Sequence, residues 1–222
     1  MTLRIFLSVL LFIAVLLSCQ EFGVSLKNEQ VKKLTVAALT GEPENYAPTL
    51  KMAIDSLQSK SYWLYNESIN PVVSGNLFSM LANNEKSHDS AASYNRQAWY
   101  YYDLASKSRP VSGLNWSSMA YVTERINKED KRLFDYIRLA HRDGQYEFQT
   151  HIKLGLVARD LIQSGVALPE EIKEIFLRQM QSGLKHPKSK PTLTFAVLKK
   201  DGVKEVMCSW ATEDTMKTLL KC

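Results

Sequence analysis

Ala98-Trp99-Tyr100-Tyr101-Tyr102-Asp103-Leu104-Ala105-Ser106-Lys107-Ser108-Arg109-Pro110, followed after two residues by Gly113-Leu114-Asn115-Trp116-Ser117-Ser118-Met119-Ala120, is the stretch whose reading decides the fold. Ala98, Tyr102 and Ala105 fall at i, i+4 and i+7, one face of an α-helix. Their small side chains leave room for a neighbouring helix to approach on either side of the tyrosine ring. Pro110 has no amide hydrogen to continue the ladder and ends the helix. Trp116, Met119 and Ala120 open the next one. Downstream, Leu133, Ile137 and Ala140 repeat the spacing of the second helix, and Asp143-Gly144 stands near where a proline stood before.

A small residue, an aromatic, a second small residue and a proline at these intervals resemble the tetratricopeptide pattern, a helix-turn-helix unit of about 34 residues. No such pair covers its own apolar face, so consecutive pairs must stack. The expected fold is all-α, a tetratricopeptide-like array of antiparallel helix pairs behind an N-terminal signal or anchor segment, with residues 28–222 as a single helical domain. Trp116 is expected in its core, where truncation to alanine would cost about 3–5 kcal/mol.

The rest of the chain is punctuated in the same manner. Val31, Leu34 and Ala38 mark a short first helix, and Leu50, Ala53, Ile54 and Leu57 a second. Leu77, Met80 and Leu81 form a short stripe before the polar break at Asn83 to Ser90. Between Glu147 and Gln163, Phe148, Ile152 and Leu156 adjoin a second stripe of Leu154, Val157, Ala158 and Leu161, an arc wide enough to be covered on more than one side. Pro169, Glu170 and Glu171 open a helix that Gly183 is expected to stop. Beyond Pro191, Leu193, Phe195 and Val197 alternate, and Asp201-Gly202 could turn a hairpin. A lone hairpin has no sheet to join, so helix is the preferred reading. A last helix is expected from Glu213 to Lys221, capped by Thr212.

Of 222 residues, 45% are apolar and 23% charged, and the 28 Lys and Arg against 23 Asp and Glu are scattered rather than blocked. A nucleic-acid footprint needs clustering on one face, so no nucleic-acid partner is expected. Arg4 and the apolar run from Ile5 to Leu17, broken only by Ser8, have the layout of a secretory signal. Leu16-Leu17-Ser18-Cys19 resembles the bacterial lipobox, with Cys19 as the lipidated residue, although Leu17 departs from its preference for a smaller or β-branched residue. Residues 1–19 therefore read as a lipoprotein signal, an uncleaved anchor or a plain secretory leader, each placing the domain outside the cytoplasm. Gln20 after the cysteine, by resemblance to Gram-negative lipoproteins, favours the outer membrane. In an oxidising compartment Cys208 and Cys222 can pair; two buried free thiols are the alternative.

Catalytic motifs are sparse. His88, His141, His151 and His186 lie far apart without ligand spacing, and there is no HExxH, GxSxG or phosphate loop. No metal or other cofactor is expected. Glu67-Ser68-Ile69-Asn70-Pro71 resembles the start of the lytic transglycosylase motif, in which the glutamate protonates a glycosidic oxygen. The spacing is one residue short and the glycine-rich continuation is missing, so a helix-ending Asn-Pro turn is preferred. In Trp99-Tyr100-Tyr101-Tyr102, successive side chains turn by about 100° and cannot all face one core. Trp99, Tyr100 and Tyr101 are the candidate interaction surface, for docking or for stacking on a sugar; burial between helices on both sides is the competing explanation.

From Trp99 to Asp160, the helix of Ala98, Tyr102, Ala105 and Pro110, the Gly113-Leu114-Asn115-Trp116 opening, Phe134 to Ala140, Gly144 and the Leu154 to Leu161 helix together resemble the small VpsP-type proteins of exopolysaccharide biosynthesis clusters. The resemblance implies a non-catalytic, envelope-anchored helical accessory protein. Its partners would be membrane-embedded polysaccharide polymerisation or export machinery, with polysaccharide itself a further one. No catalytic residue is carried over.

Overall fold

Pro71 opens a helix, where its fixed φ suits the first turn and its missing amide hydrogen goes unneeded, while the residues before it in the expected Asn-Pro turn lie outside the described residues. The structure, a computed structural model, describes residues 29–37, 46–58 and 71–222. In chain order the helices are α1 (29–37), α2 (Tyr46–Gln58), α3 (Pro71–Asn84), α4 (His88–Ser108), α5 (Gly113–Ile126), α6 (Arg132–Asp143), α7 (Phe148–Gln163), α8 (Glu170–Lys185), the single turn α9 (Lys190–Thr192), a π-helical segment (Leu193–Leu198), α10 (Val203–Trp210) and α11 (Asp214–Leu220). Among the described residues there is no strand, and neighbouring helices pack in pairs along the chain.

The small-residue face nests as its spacing requires. Ala98, Tyr102, Ala120 and Ala140 expose no surface and Ala105 only 2%. Serine caps start both central helices: Ser87 Oγ accepts from the Ser90 amide and Ser112 Oγ from the Asn115 amide, each at 3.4 Å. The α5–α6 pair is antiparallel and touches backbone to backbone at one end, since a Cβ on Gly113 would lie 2.2 Å from Gly144 Cα. On the other side of α4, a Cβ on Gly75 of α3 would meet the Tyr102 ring at 2.7 Å.

Helix α7 is packed against α5, α6, α8 and the π segment, in keeping with its wide apolar arc. Leu154, Val157, Ala158 and Leu161 are all fully buried. Gly183 does not stop α8, which runs on to Lys185. It forms instead one side of a notch whose other side is Gly155 of α7, and the buried Leu193 side chain fills that notch. A Cβ would meet Leu193 at 2.3 Å from Gly183 and at 2.5 Å from Gly155.

The stretch after Pro191 is helical rather than a hairpin, but not a single α-helix. The chain makes one turn, widens into the π segment, and reverses at Gly202, whose φ of +76° is the left-handed conformation glycine adopts without strain. Arg159 of α7 donates to the Ala196 carbonyl at 2.9 Å and fastens the π segment to the core. The final helix has Glu213, not Thr212, at its N-cap position.

Trp116 corrects the expectation of a core ring. It is half-buried, stacked on Tyr136 with ring centroids 6.1 Å apart, and its indole N–H donates to the Pro110 carbonyl at 2.8 Å. It fastens the α4–α5 turn from outside, so its truncation costs less than loss of a buried ring.

Cys208 and Cys222 form a disulfide with Cα atoms 5.8 Å apart, closing a 14-residue separation that ties α10 to the chain's end. Loop-closure entropy assigns such a crosslink about 3 kcal/mol. Reduction is expected to lower the urea midpoint accordingly, and a Cys208→Ser/Cys222→Ser chain should match the reduced protein. Among the described residues no helix is long and apolar enough to cross a membrane. Residues 1–19, with Cys19, lie outside the described residues.

Candidate functional site

The aromatic run divides its side chains among three environments. Tyr102 is core. Tyr101 is half-buried and stacks on Phe78 of α3, with centroids 5.6 Å apart and planes within 10°. Trp99 is half-buried with the Arg132 guanidinium 5.2 Å from its ring. Tyr100 remains 55% exposed and meets Tyr101 edge-on at 5.4 Å. Of the three candidate surface residues, Tyr100 is the open one, with Tyr101 and Phe78 stacked in series behind it.

A cleft of about 450 Å³ lies between α3 and α7, walled by Val73, Leu77 and Leu156 and holding one amine, Lys153 Nζ. Its polar flank is preset by two tyrosine–asparagine pairs. Tyr102 Oη donates to Asn76 Oδ1 at 2.7 Å, and Tyr121 Oη donates to Asn83 Oδ1 at 3.2 Å. Lys153 Nζ sits 5.7 Å from the Tyr102 ring centroid and 5.5 Å from that of Tyr121, within cation–π range. No carboxylate among the described residues pairs with it, and desolvation lowers its pKa from 10.5 to about 8.

This placement predicts a pH signature. The folded value near 8 lies below the unfolded value of 10.5, so between them the unfolded chain holds the extra proton and stability rises with pH. The burden is complete below the folded value. Lys153→Met, which keeps the length and removes the charge, is expected to add about 1–3 kcal/mol at neutral pH and to flatten that rise. Urea unfolding at neutral pH and above the free-lysine pKa measures both effects.

Two histidines meet through an amide. His151 Nδ1 lies 2.6 Å from Gln179 Oε1 and His141 Nδ1 lies 2.8 Å from Gln179 Nε2. With the amide in that orientation, His151 donates and His141 accepts. Burial lowers the pKa of both, which favours the neutral His141 ring that accepting from the amide requires. His186 stacks on Phe148 at 5.5 Å, and His88 is exposed at the start of α4. Among the described residues no three His, Cys, Asp or Glu side chains converge as a metal site would need. Glu67, Ser68 and Asn70 of the transglycosylase-like stretch lie outside the described residues.

Sequence reasoning passed over Lys153 and Glu124. Both interrupt buried faces: Lys153 lies between Ile152 and Leu154 in the wide arc of α7, and Glu124 follows Ser117 and Ala120 at i+7 and i+4 on the small-residue face of α5. A charged residue in such register was the signal available.

The described residues form an all-α array of antiparallel helix pairs, with the open Tyr100 on α4 and a cleft beside Lys153. Compared with protein-family models, curated proteins and solved structures, the chain matches none.

Proposed function

We propose that this chain is a non-catalytic helical accessory protein of the bacterial cell envelope. It is held on the extracytoplasmic side by its N-terminal segment and acts in exopolysaccharide biosynthesis or export by contacting membrane-embedded polymerisation or export machinery. The observation that carries the docking role is Tyr100, 55% exposed on a rigid helix with Tyr101 and Phe78 stacked behind it. Such a backed aromatic offers contact area at low entropic cost. The Cys208–Cys222 disulfide suits an oxidising compartment. The resemblance of the Trp99–Asp160 stretch to VpsP-type proteins supplies the pathway.

A photo-crosslinking residue at position 100 in living cells tests this reading. The expected result is an adduct with a polysaccharide polymerisation or export component, together with reduced polymer yield in the Tyr100→Ala strain. Unchanged polymer in a strain deleted for the whole chain would refute it. The competing reading, glycan cleavage with Glu67 as general acid, rests on the sequence alone. Clearing of a peptidoglycan gel that Glu67→Gln abolishes would put it in place of the accessory role.

A further inference from the structure

Two clefts of similar size differ in what they leave unmet. The first, of about 510 Å³, lies where the end of α3 and the start of α4 face α5 and α7, and Asn95, Glu124, Arg125, Lys128 and Asp160 contribute to its walls. Its charges are paired within the protein. Asp160 receives Arg159 at 2.6 Å and Arg125 at 3.4 Å, and Lys128 Nζ lies 3.7 Å from Glu124 Oε1. Asn95 Oδ1 and Arg125 Nε have no partner, but both are sealed from the cleft's solvent. The cleft of about 450 Å³ between α3 and α7 is the reverse case, with a charge that nothing pairs and walls that are largely apolar.

Helices α3 and α7 pack on α4 and α5 rather than closely on each other, and this cleft is the gap between them. Val73, Leu77 and Met80 stand at i, i+4 and i+7 on α3, and Ile152 and Leu156 at i and i+4 on α7, so each helix presents one apolar stripe to the gap. All but Leu77 are half-buried and keep apolar surface uncovered. Lys153 follows Ile152 and is half-buried as well. Among the described residues no acid and no second base lines the cleft, and none of the three N–H donors of the ammonium has an acceptor. The Tyr102 and Tyr121 rings, 5.7 and 5.5 Å away, attract the charge but offer it no counter-ion. Asn76 and Asn83 have their carbonyl oxygens taken by the two tyrosine hydroxyls, so their amides are left with N–H groups to give. The lowered pKa of Lys153 has the same origin, a cation in apolar surroundings without an opposite charge.

The geometry points to a binding site for a monocarboxylate with an apolar body, its carboxylate on Lys153 Nζ and its hydrocarbon between the α3 and α7 stripes. A carboxylate accepts hydrogen bonds only, which suits a polar end made of N–H donors. Water can serve the same donors, but it neither cancels the charge nor covers the stripes. One amine balances one carboxylate. A phosphate monoester would bring close to two charges and leave one unmatched between apolar walls, where an unpaired charge is costly. The volume is within the range of small-molecule sites, most of which combine apolar walls with a few placed polar groups. This inference rests on the cleft alone and does not depend on docking at Tyr100.

The test follows the Ile152 and Leu156 methyl signals and the Lys153 ε-methylene signal of the full-length chain, in lipid nanodiscs, by ¹H–¹³C NMR. Hexanoate is the carboxylate probe. Hexan-1-ol carries the same body without charge, hexylamine reverses the charge, acetate is the head alone and hexyl phosphate the heavier anion. Hexanoate is expected to move all three signals saturably and to bind more tightly than any other probe. Lys153→Met, which keeps the wall and removes the head contact, should weaken hexanoate about tenfold or more, as loss of a charged hydrogen bond does, and leave hexan-1-ol unchanged. Val73→Trp, at a half-buried wall position, should abolish binding by filling the gap. The inference would be overturned by the absence of saturable shifts with hexanoate, by tighter binding of any other probe, or by hexanoate binding that Lys153→Met leaves intact. A Lys153 amine that titrates at or above the free value of 10.5 before any probe is added would also overturn it, since a carboxylate of the chain itself would then hold the place.

Discussion

Tyr102→Ala is expected to lower the free energy of unfolding by about 3–5 kcal/mol, the cost of emptying a large aromatic site in a close-packed core. Tyr102 exposes no surface and stands between Ala98 and Ala105 on α4, where α3 closes over it through Gly75. Its hydroxyl donates to Asn76 Oδ1 at 2.7 Å, so the residue also holds the polar flank of the Lys153 cleft. Tyr102→Phe separates the two roles. It keeps the ring and strands the Asn76 carbonyl, and should cost about 1–2 kcal/mol. Gly75→Ala attacks the same contact from the opposite helix, because its Cβ must share space with the ring. Urea unfolding followed by circular dichroism ranks the three, and a Tyr102→Ala midpoint equal to that of the parent chain would contradict the nesting of α3 on α4.

Leu193→Ala should cost about 2–5 kcal/mol, and here the more telling result is its coupling to two glycines. The Leu193 side chain occupies the notch between Gly155 and Gly183, fully buried, with no space for a Cβ on either wall. Gly155→Ala alone overpacks that notch and is expected to destabilise by about 1–3 kcal/mol. In the Leu193→Ala background the same change adds a methyl where a cavity has opened, so its cost should vanish or change sign. A double-mutant cycle reads the difference directly. Strict additivity would mean that the π segment does not seat on α7 and α8 through this leucine.

These predictions show which parts of the structure the sequence makes legible. The face of Ala98, Tyr102 and Ala105 is readable because its period is helical and its small residues have no reason to recur at that spacing unless another helix lies against them. The same reasoning extends to Ala120, Ala140 and the broad arc of α7. Glycines and prolines are less transparent, since their backbone roles depend on neighbours distant in sequence. Pro71 reads as part of a helix-ending turn, and its place as the first residue of α3 is not evident from that reading. Gly183 looks like a terminator and is a contact surface for a residue ten positions later. The π segment is legible only as an ambiguity between alternation and helix, because its widened turn depends on Leu193 finding its notch and on Arg159 holding the Ala196 carbonyl.

For the clefts, the sequence carried a signal of a different kind. Glu124 and Lys153 each break an otherwise buried stripe, which marks a charge drawn inward, but neither names the residues that face it. Asn95 reaches Glu124's cleft from α4 and Asn76 reaches Lys153's from α3, pairings that follow from the order of stacking. Tyr100 lies between these cases. Helical geometry requires that the four-residue aromatic run cannot all face one core, while the outcome of Tyr100 as its open member depends on Phe78 taking Tyr101 and Arg132 covering Trp99.

The most direct test of the account is a methyl spectrum of alanine-labelled protein recorded with and without a soluble paramagnetic probe. Ala98, Ala105, Ala120 and Ala140 should keep their intensities and show cross-relaxation to side chains of adjacent helices, while the exposed Ala167 is bleached. Bleaching of those four methyls to the extent seen for Ala167 would contradict the stacked array.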